Sequence, residues 1–223
     1  MQKDEAHIYI LDIENVDFQK YQFLITHEEE KKAGNFRQKE DTQRFLAGRI
    51  FIKKLLAGYI GIAPELIFIK PGINKKPVAT TAENKQLPQF NISHSGNKVL
   101  IAISNSDVGV DIEMVEDIDF SSFQSGLFSL QEQQLLSSAK DPTRIFFKLW
   151  TRKESFLKAI GLGLIDNLDS LEVTDGIHEF TCLPLKERDF EIITFQLKAG
   201  YIASICIEKG VKAVLSYLHG FPF

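Results

Sequence analysis

Cysteine is scarce in this chain of 223 residues. Cys182 and Cys206 stand far apart and without metal-ligand spacing, which excludes a disulfide framework or a zinc cluster and suits two reduced thiols in a cytoplasmic protein. Basic residues are not in surplus either: the formal charge is −4, against a chain that neutralises many phosphates of a nucleic acid, so any phosphate site must be local. No apolar run reaches the length a bilayer requires, and the opening "MQKDEAHIYILDIE" is too short in apolar residues and too polar for a signal peptide, so no membrane role is expected. Missing too are a Walker loop, a G-x-G-x-x-G turn, an H-E-x-x-H pair and a G-x-S-x-G elbow, which leaves the common nucleotide, dinucleotide, zinc-protease and serine-hydrolase readings without their residues. No low-complexity linker divides the chain, so its parts are expected to pack tightly.

What is present is a chain that repeats itself. At an offset of about one hundred positions, "YILDIENVDF" (Tyr9 to Phe18) meets "GVDIEMVEDIDF" (Gly109 to Phe120), "RFLAGRIFIKKLLAGYIG" (Arg44 to Gly61) meets "RIFFKLWTRKESFLKAIG" (Arg144 to Gly161), and "KVLIAIS" meets "KAGYIASI". Three matches in one order point to two related lobes of strands and helices, an α+β fold divided into residues 1–105 and 106–223.

Alternation and β-branched content predict strands over Ile8 to Ile13, Leu66 to Lys70, Val99 to Ser104, Val108 to Glu113, Leu168 to Val173, Glu191 to Leu197 and Tyr201 to Ile207. The turn signal "SNSD" makes Lys98 to Glu113 read as a hairpin leading from one lobe to the other. Helices are expected from about Arg37 to Tyr59, from Leu130 to Ser138, and over the "RIFFKLWTRKESFLKAIGLG" stretch until Gly161 and Gly163 stop it. Lys70 to Gln89, rich in breakers, reads as loop, and Asn91 to Gly96 as a polar interruption before a strand.

In that last helix Phe146, Leu149, Trp150, Phe156, Leu157 and Ile160 share an arc of about 120°, the width of a core-facing stripe. Lys153 points into the stripe, while Glu154 and Lys158 lie one turn apart along its edge. Two readings stay open: a snorkelling lysine beside a surface ion pair, or a helix that borders a polar cavity holding something anionic or metallic. Asp111 and Glu113 raise the same choice, since alternation puts both on one face of their strand, about 7 Å apart: a wet strand face, or half of a hard-cation site with Glu154 as third carboxylate. The repeat adds an asymmetry. Asp12 and Glu14 are the counterparts of Asp111 and Glu113, but Lys54 stands where Glu154 does, so only the second lobe can gather three carboxylates.

Basic residues cluster in the first lobe, at Lys31, Lys32, Arg37, Lys39, Arg44, Lys75 and Lys76; solvated charge is the default reading of each. Ser93 and His94 suit phosphate or base contacts better than nucleophilic catalysis, because neighbouring strand residues point to opposite faces.

Taken together, "FNISHSG", "VGVDIE" and "WTRKESFLKAIGLGL" resemble the signature of the 4′-phosphopantetheinyl transferases of the two-lobed Sfp-like type; Trp150, Lys153, Glu154, Ser155 and Lys158 meet W-x-x-K-E-[SA]-x-x-K in full. The likeness takes in "KEDTQRFLAG" and the Lys76-Pro77 pair and covers most of residues 28 to 165. It implies a pseudo-twofold pair of α+β lobes, mostly antiparallel sheets with helices packed on them, and a monomer. It further implies that the phosphopantetheine arm of coenzyme A moves to a serine of an acyl or peptidyl carrier protein with release of 3′,5′-ADP. By motif match, Asp111, Glu113 and Glu154 would hold Mg²⁺, Lys158 would contact the coenzyme pyrophosphate, and Arg44, Lys76, Ser93 and His94 would grip the adenine nucleotide, with Lys32 a looser match because "EEEKKAGNF" departs from the family's basic run.

Phosphoryl transfer requires charge neutralised on the non-bridging oxygens and an activated nucleophile, so Glu154 is the expected base and Asp111 and Lys158 its catalytic neighbours. Lys153 is expected to place its ammonium under the site, in reach of carboxylates or phosphate. Phe120, Phe123, Leu127 and Phe128 are expected either to form a groove for an amphipathic carrier helix or to pack in the core. A magnesium-dependent phosphohydrolase and a non-catalytic coenzyme-binding module are the alternative readings.

Overall fold

The computed structural model describes residues 4–72, 74, 76–85, 87–117, 119, 126–163, 165, 167–174, 177–178, 189–198 and 200–218. In chain order these hold β1 (Glu5–Asp12), α1 (His27–Ala33), α2 (Lys39–Ile60), β2 (Phe68–Pro71), β3 (Pro77–Thr80), β4 (Gln89–Ser95), β5 (Lys98–Ser104) and β6 (Val108–Met114), then α3 (Leu130–Ser138), α4 (Pro142–Ile160), β7 (Ile177–His178), β8 (Phe190–Leu197), β9 (Tyr201–Glu208) and β10 (Lys212–Leu218). Local chemistry sets the helix ends. Thr26 with Glu29 and Ser129 with Glu132 form capping boxes at the starts of α1 and α3, and Gly61 and Gly161 close α2 and α4 in the left-handed conformation at φ 69° and 70°.

Among the described residues β10, β1, β5 and β4 form one sheet in that order, β6, β9, β8 and β7 a second, and β2 with β3 a small ribbon. Neighbours are antiparallel except β1 and β10, which run parallel. Alternation assigns each sheet two buried faces. Ile8, Ile10, Leu100 and Ala102 of the first sheet and Val110, Ile112, Ala203 and Ile205 of the second share one core. Residues of opposite parity, Leu11, Val99, Ile101 and Ile103, pack with Ile50, Phe51 and Leu56 of α2. On the other side Ile192, Ile202 and Cys206 pack with Leu149, Phe156 and Leu157 of α4. The result is a helix, sheet, sheet, helix stack with three apolar layers, mixed α and β with mostly antiparallel strands.

Several expectations change. Lys98 to Glu113 is not a ladder-forming hairpin: β5 pairs with β1 and β4, while β6 crosses into the second sheet and pairs with β9. Leu168 to Val173 is not a strand but a short 3₁₀ turn, Leu168–Ser170, and an extended exit, because its carbonyls accept from side chains instead of a neighbouring strand: Leu168 and Leu171 from Lys153, Val173 and Thr174 from Arg152. The supposed loop from Lys70 to Gln89 contains β3, and the supposed polar interruption at Asn91 is the middle of β4. The last strand, β10, lies on the first sheet although it follows residue 106, so the chain returns to its starting half.

Candidate active site

The free edge of β6 lies against the inner face of β4, and no backbone ladder joins the two sheets there. Instead Asn91 Oδ1, Ser93 Oγ and Ser95 Oγ accept from the backbone N–H groups of Val110, Ile112 and Met114, at 3.0, 3.4 and 3.0 Å. The steps of two on both strands mean that the polar side chains of one β4 face take the place of a parallel partner. The serine hydroxyls then donate to the carboxylates beside those N–H groups: Ser93 to Asp111 Oδ1 at 2.7 Å, Ser95 to Glu113 Oε2 at 2.8 Å.

On this side α4 lies directly on β6. A Cβ on Gly109 would stand 2.0 Å from the Ser155 carbonyl oxygen and 2.3 Å from the Ala159 nitrogen, so only glycine admits the helix so close. The approach brings Lys158 Nζ to 2.5 Å from Asp111 Oδ1, 3.3 Å from Ser93 Oγ and 3.9 Å from Glu154 Oε2. One ammonium therefore bridges a carboxylate of the strand and a carboxylate of the helix. Asp111 is 2% exposed, and its second oxygen, Oδ2, is buried with no hydrogen-bond partner.

Charge is concentrated here under poor solvation. Burial, and then the neighbouring Asp111, push the Glu113 carboxyl up to about 7 against hydrogen bonds from Ser95 and Trp150. Burial also raises Glu154, with Lys158 opposing and Asp111 adding to the rise. For Lys158 burial acts downward, but Asp111, Glu154 and Glu113 together raise the ammonium above its ordinary value.

Beside the cluster opens a cleft of about 210 Å³, lined by Asn74, Lys76, Asn91, Glu154, Lys158 and Gly161 among others. Residues of both halves of the chain face it. Lys76 Nζ donates to the Ala159 carbonyl at 2.8 Å and Asn74 Nδ2 to that of Gly161 at 2.9 Å, so the segment before β3 caps the end of α4. Arg44 donates to the Gly96 carbonyl and to Asp41, both at 2.5 Å, just past the end of β4. His94 keeps an accessible ring; its packed surroundings, and then Arg44 and Lys158, lower its pKa. Lys32 is exposed over the Phe45 ring, 5.1 Å from its centroid, and does not line the cleft.

Of the expected site residues the structure thus brings together Asp111, Ser93, Glu154 and Lys158, with Glu113 and Lys76 next to them and Arg44 and His94 at the strand end. Asp111, Glu113 and Glu154 do not form a closed ligand cluster as they stand: among the described residues no three His, Cys, Asp or Glu side chains gather as a ready metal site. Lys153 lies elsewhere than its expected place. Its ammonium does not lie under the site but on the far flank of α4, 2.8 Å from Glu132 Oε2, with both side chains enclosed. An unpaired ammonium there would cost several kcal/mol, so the capping-box glutamate of α3 compensates it. Lys53 does the same in the first half, 2.6 Å from Glu29 Oε2 of the other capping box. Phe128 is buried in the core of the second half rather than lining a groove, and Phe120 and Phe123 lie outside the described residues. Asn91, Ser95 and Gly109 had no assigned part in the sequence reading; the alternation of polar residues in "FNISHS" was the available signal.

A cleft lined from two α+β halves by Lys76, Glu154 and Lys158, with the buried Asp111 behind the Lys158 ammonium, suits an enzyme that handles a charged substrate. Residues 107–206 match the 4′-phosphopantetheinyl transferase superfamily, and residues 14–106 match the family described as 4′-phosphopantetheinyl transferase, N-terminal. The chain is similar to 4′-phosphopantetheinyl transferase psf-1 of Bacillus pumilus, 30% identical over 85% of this chain and 82% of that protein. It is likewise similar to HetI of Nostoc, 31% over 76% and 74%, and to Sfp of Bacillus subtilis, 29% over 84% of each. The chain belongs to the 4′-phosphopantetheinyl transferase family and is an enzyme of its Sfp-like type. No helix among the described residues is long and apolar enough to cross a membrane.

Proposed function

We propose that the chain transfers the 4′-phosphopantetheine group of coenzyme A to a serine hydroxyl of an apo acyl or peptidyl carrier protein. In this step the serine Oγ bonds to the phosphorus that carries the pantetheine arm, the pyrophosphate P–O bond breaks, and 3′,5′-ADP leaves. The observation that carries the reading is the Lys158 ammonium held against Asp111 and beside Glu154 on the wall of a cleft that both halves line.

Each residue has a part that its surroundings support. Glu154, raised by burial, takes the serine proton. Lys158, its charge secured by three carboxylates, faces the pyrophosphate oxygens and offsets their charge. Lys76, Arg44, Ser93 and His94 would hold the nucleotide end, while Lys32, over Phe45 and outside the cleft lining, would add at most a longer-range positive charge. The donor set also fits a hard divalent cation such as Mg²⁺: all oxygen, with one buried Asp111 oxygen lacking any partner. Asp111, Glu113 and Glu154 would hold it, and when bound it would neutralise charge on the pyrophosphate.

The same reading takes residues 1–105 and 106–223 as a pseudo-twofold pair of lobes, with β10 of the second completing the sheet of the first, acting as a monomer in the cytoplasm. The matching Lys53–Glu29 and Lys153–Glu132 pairs support the pairing of lobes, and the buried free thiol of Cys206 suits the compartment. Incubation with coenzyme A, Mg²⁺ and an apo carrier, followed by mass spectrometry of the carrier, tests it. One added phosphopantetheine is expected; no addition to acyl or peptidyl carriers of several kinds overturns it.

A further inference from the structure

The geometry points to Ser95 as a positioning residue for Glu113, fixing that carboxylate from across the boundary between the two halves of the chain. The inference rests on the reading above, in which Glu113 works beside Asp111 and Glu154.

A serine hydroxyl has one proton and two acceptor positions, and its proton normally rotates to whichever acceptor is nearest. At Ser95 that freedom is removed. Its oxygen accepts from the Met114 backbone N–H at 3.0 Å, and its single proton is directed to Glu113 Oε2 at 2.8 Å. The backbone of β6 thus sets the direction of a donor that belongs to β4, and the donor sets the carboxylate. Ser93 repeats the arrangement one step earlier, accepting from Ile112 N–H and donating to Asp111. Asn91 starts the series by accepting from Val110 N–H. The two carboxylates of one strand face therefore each have a private donor, which holds like charges in fixed orientations.

The neighbourhood shows why Glu113 requires such a partner. It carries more rotatable bonds than Asp111 and lies farther along β6. Asp111 has the Lys158 ammonium at 2.5 Å. Glu113 has Ser95 and Trp150 as its hydrogen-bond donors instead. Because Ser95 sits on the first sheet and Glu113 on the second, the contact also makes the carboxylate's aim depend on how the sheets are docked.

The test compares wild type with Ser95→Ala and with Ser95→Cys, which keeps the side-chain connectivity in a slightly larger group but offers only a weak S–H donor. A hydrogen bond to a charged group corresponds to about ten- to a hundredfold, so kcat of carrier modification should fall by that factor with the KM for coenzyme A changed less than about threefold. Direct Mn²⁺ binding, read by electron paramagnetic resonance in the presence of coenzyme A, should weaken about tenfold or more, and Ser95→Thr should restore both readouts. If the Ala or Cys variant folds, with a lower melting temperature, yet keeps wild-type Mn²⁺ affinity and kcat, Ser95 is only structural and the inference fails. Should Ser95→Ala not fold, Ser95→Cys decides by the same criteria. If wild type itself modifies no carrier, the functional reading fails, an outcome distinct from equality between wild type and variant.

Discussion

Lys153 and Glu132 form an ion pair of 2.8 Å that is shut off from solvent on every side. The lysine also donates to the carbonyls of Leu168 and Leu171, and the glutamate accepts from Val173 N–H and from Ser129 N–H. One pair thus ties α4, α3 and the chain beyond α4 together. Removing one partner leaves a charge buried and alone, so Lys153→Met should lower stability by about 3–5 kcal/mol in urea unfolding. Lys53→Met in the matching pair should cost less, because Arg49 Nε remains 3.7 Å from Glu29 Oε1 and keeps that carboxylate from being left alone. A loss under about 1 kcal/mol would mean that water reaches the site.

The closeness of α4 to β6 yields a second expectation. Gly109→Ala puts a methyl group against helix backbone that no side-chain rotation can clear. Overpacking of this kind costs about 1–3 kcal/mol or more, and here it must also move Lys158 away from Asp111. Both a lower melting temperature and a loss of transfer are expected from the variant. Unchanged values for both would show that helix and strand are not packed this tightly.

Glu113 gives stability a pH dependence of definite sign. Its pKa rises from 4.5 to about 7 in the folded chain, so between those values the native state binds more protons than the unfolded state. Stability from this group is therefore present in acid and falls as pH rises through the window. Glu113→Gln removes the penalty and should be about 3 kcal/mol more stable than wild type at pH 8, with the advantage gone near pH 4.5. A stabilisation that does not change with pH would refute the assignment. Added Mg²⁺ should raise the wild-type melting temperature more at pH 8 than at pH 6, since deprotonated ligands bind it better.

Asp12 provides a control. It accepts from Lys98 and caps the turn that contains Glu14, away from α4. Asp12→Asn should cost about 1 kcal/mol or less and leave transfer nearly unaffected. A loss of transfer as large as that of Asp111→Asn would show that the first half carries the chemistry too.

Much of this arrangement is legible in the sequence, because it is written in short-range patterns. Period-two alternation located β6 and the shared face of Asp111 and Glu113, helical spacing located Glu154 and Lys158, and glycines marked the ends of α2 and α4. The parts that were not legible depend on distant partners. Leu168 to Val173 has strand composition, but buried donors from α4 take its carbonyls. Lys153 showed itself as a misplaced charge, yet the side on which it would be matched depended on Glu132, a residue that sequence spacing ties only to its own helix cap. Ser95 and Asn91 read as interruptions because β4 uses its polar face to hold another sheet's edge.

The most direct test of the proposed chemistry is the Glu154→Gln variant, assayed with coenzyme A, Mg²⁺ and an apo carrier whose mass is followed in time. Removal of a general base costs about a hundredfold or more, so transfer should all but stop while coenzyme A still binds within a few-fold of wild type by calorimetry. Transfer at a near-normal rate would remove Glu154 from the reaction and contradict the account.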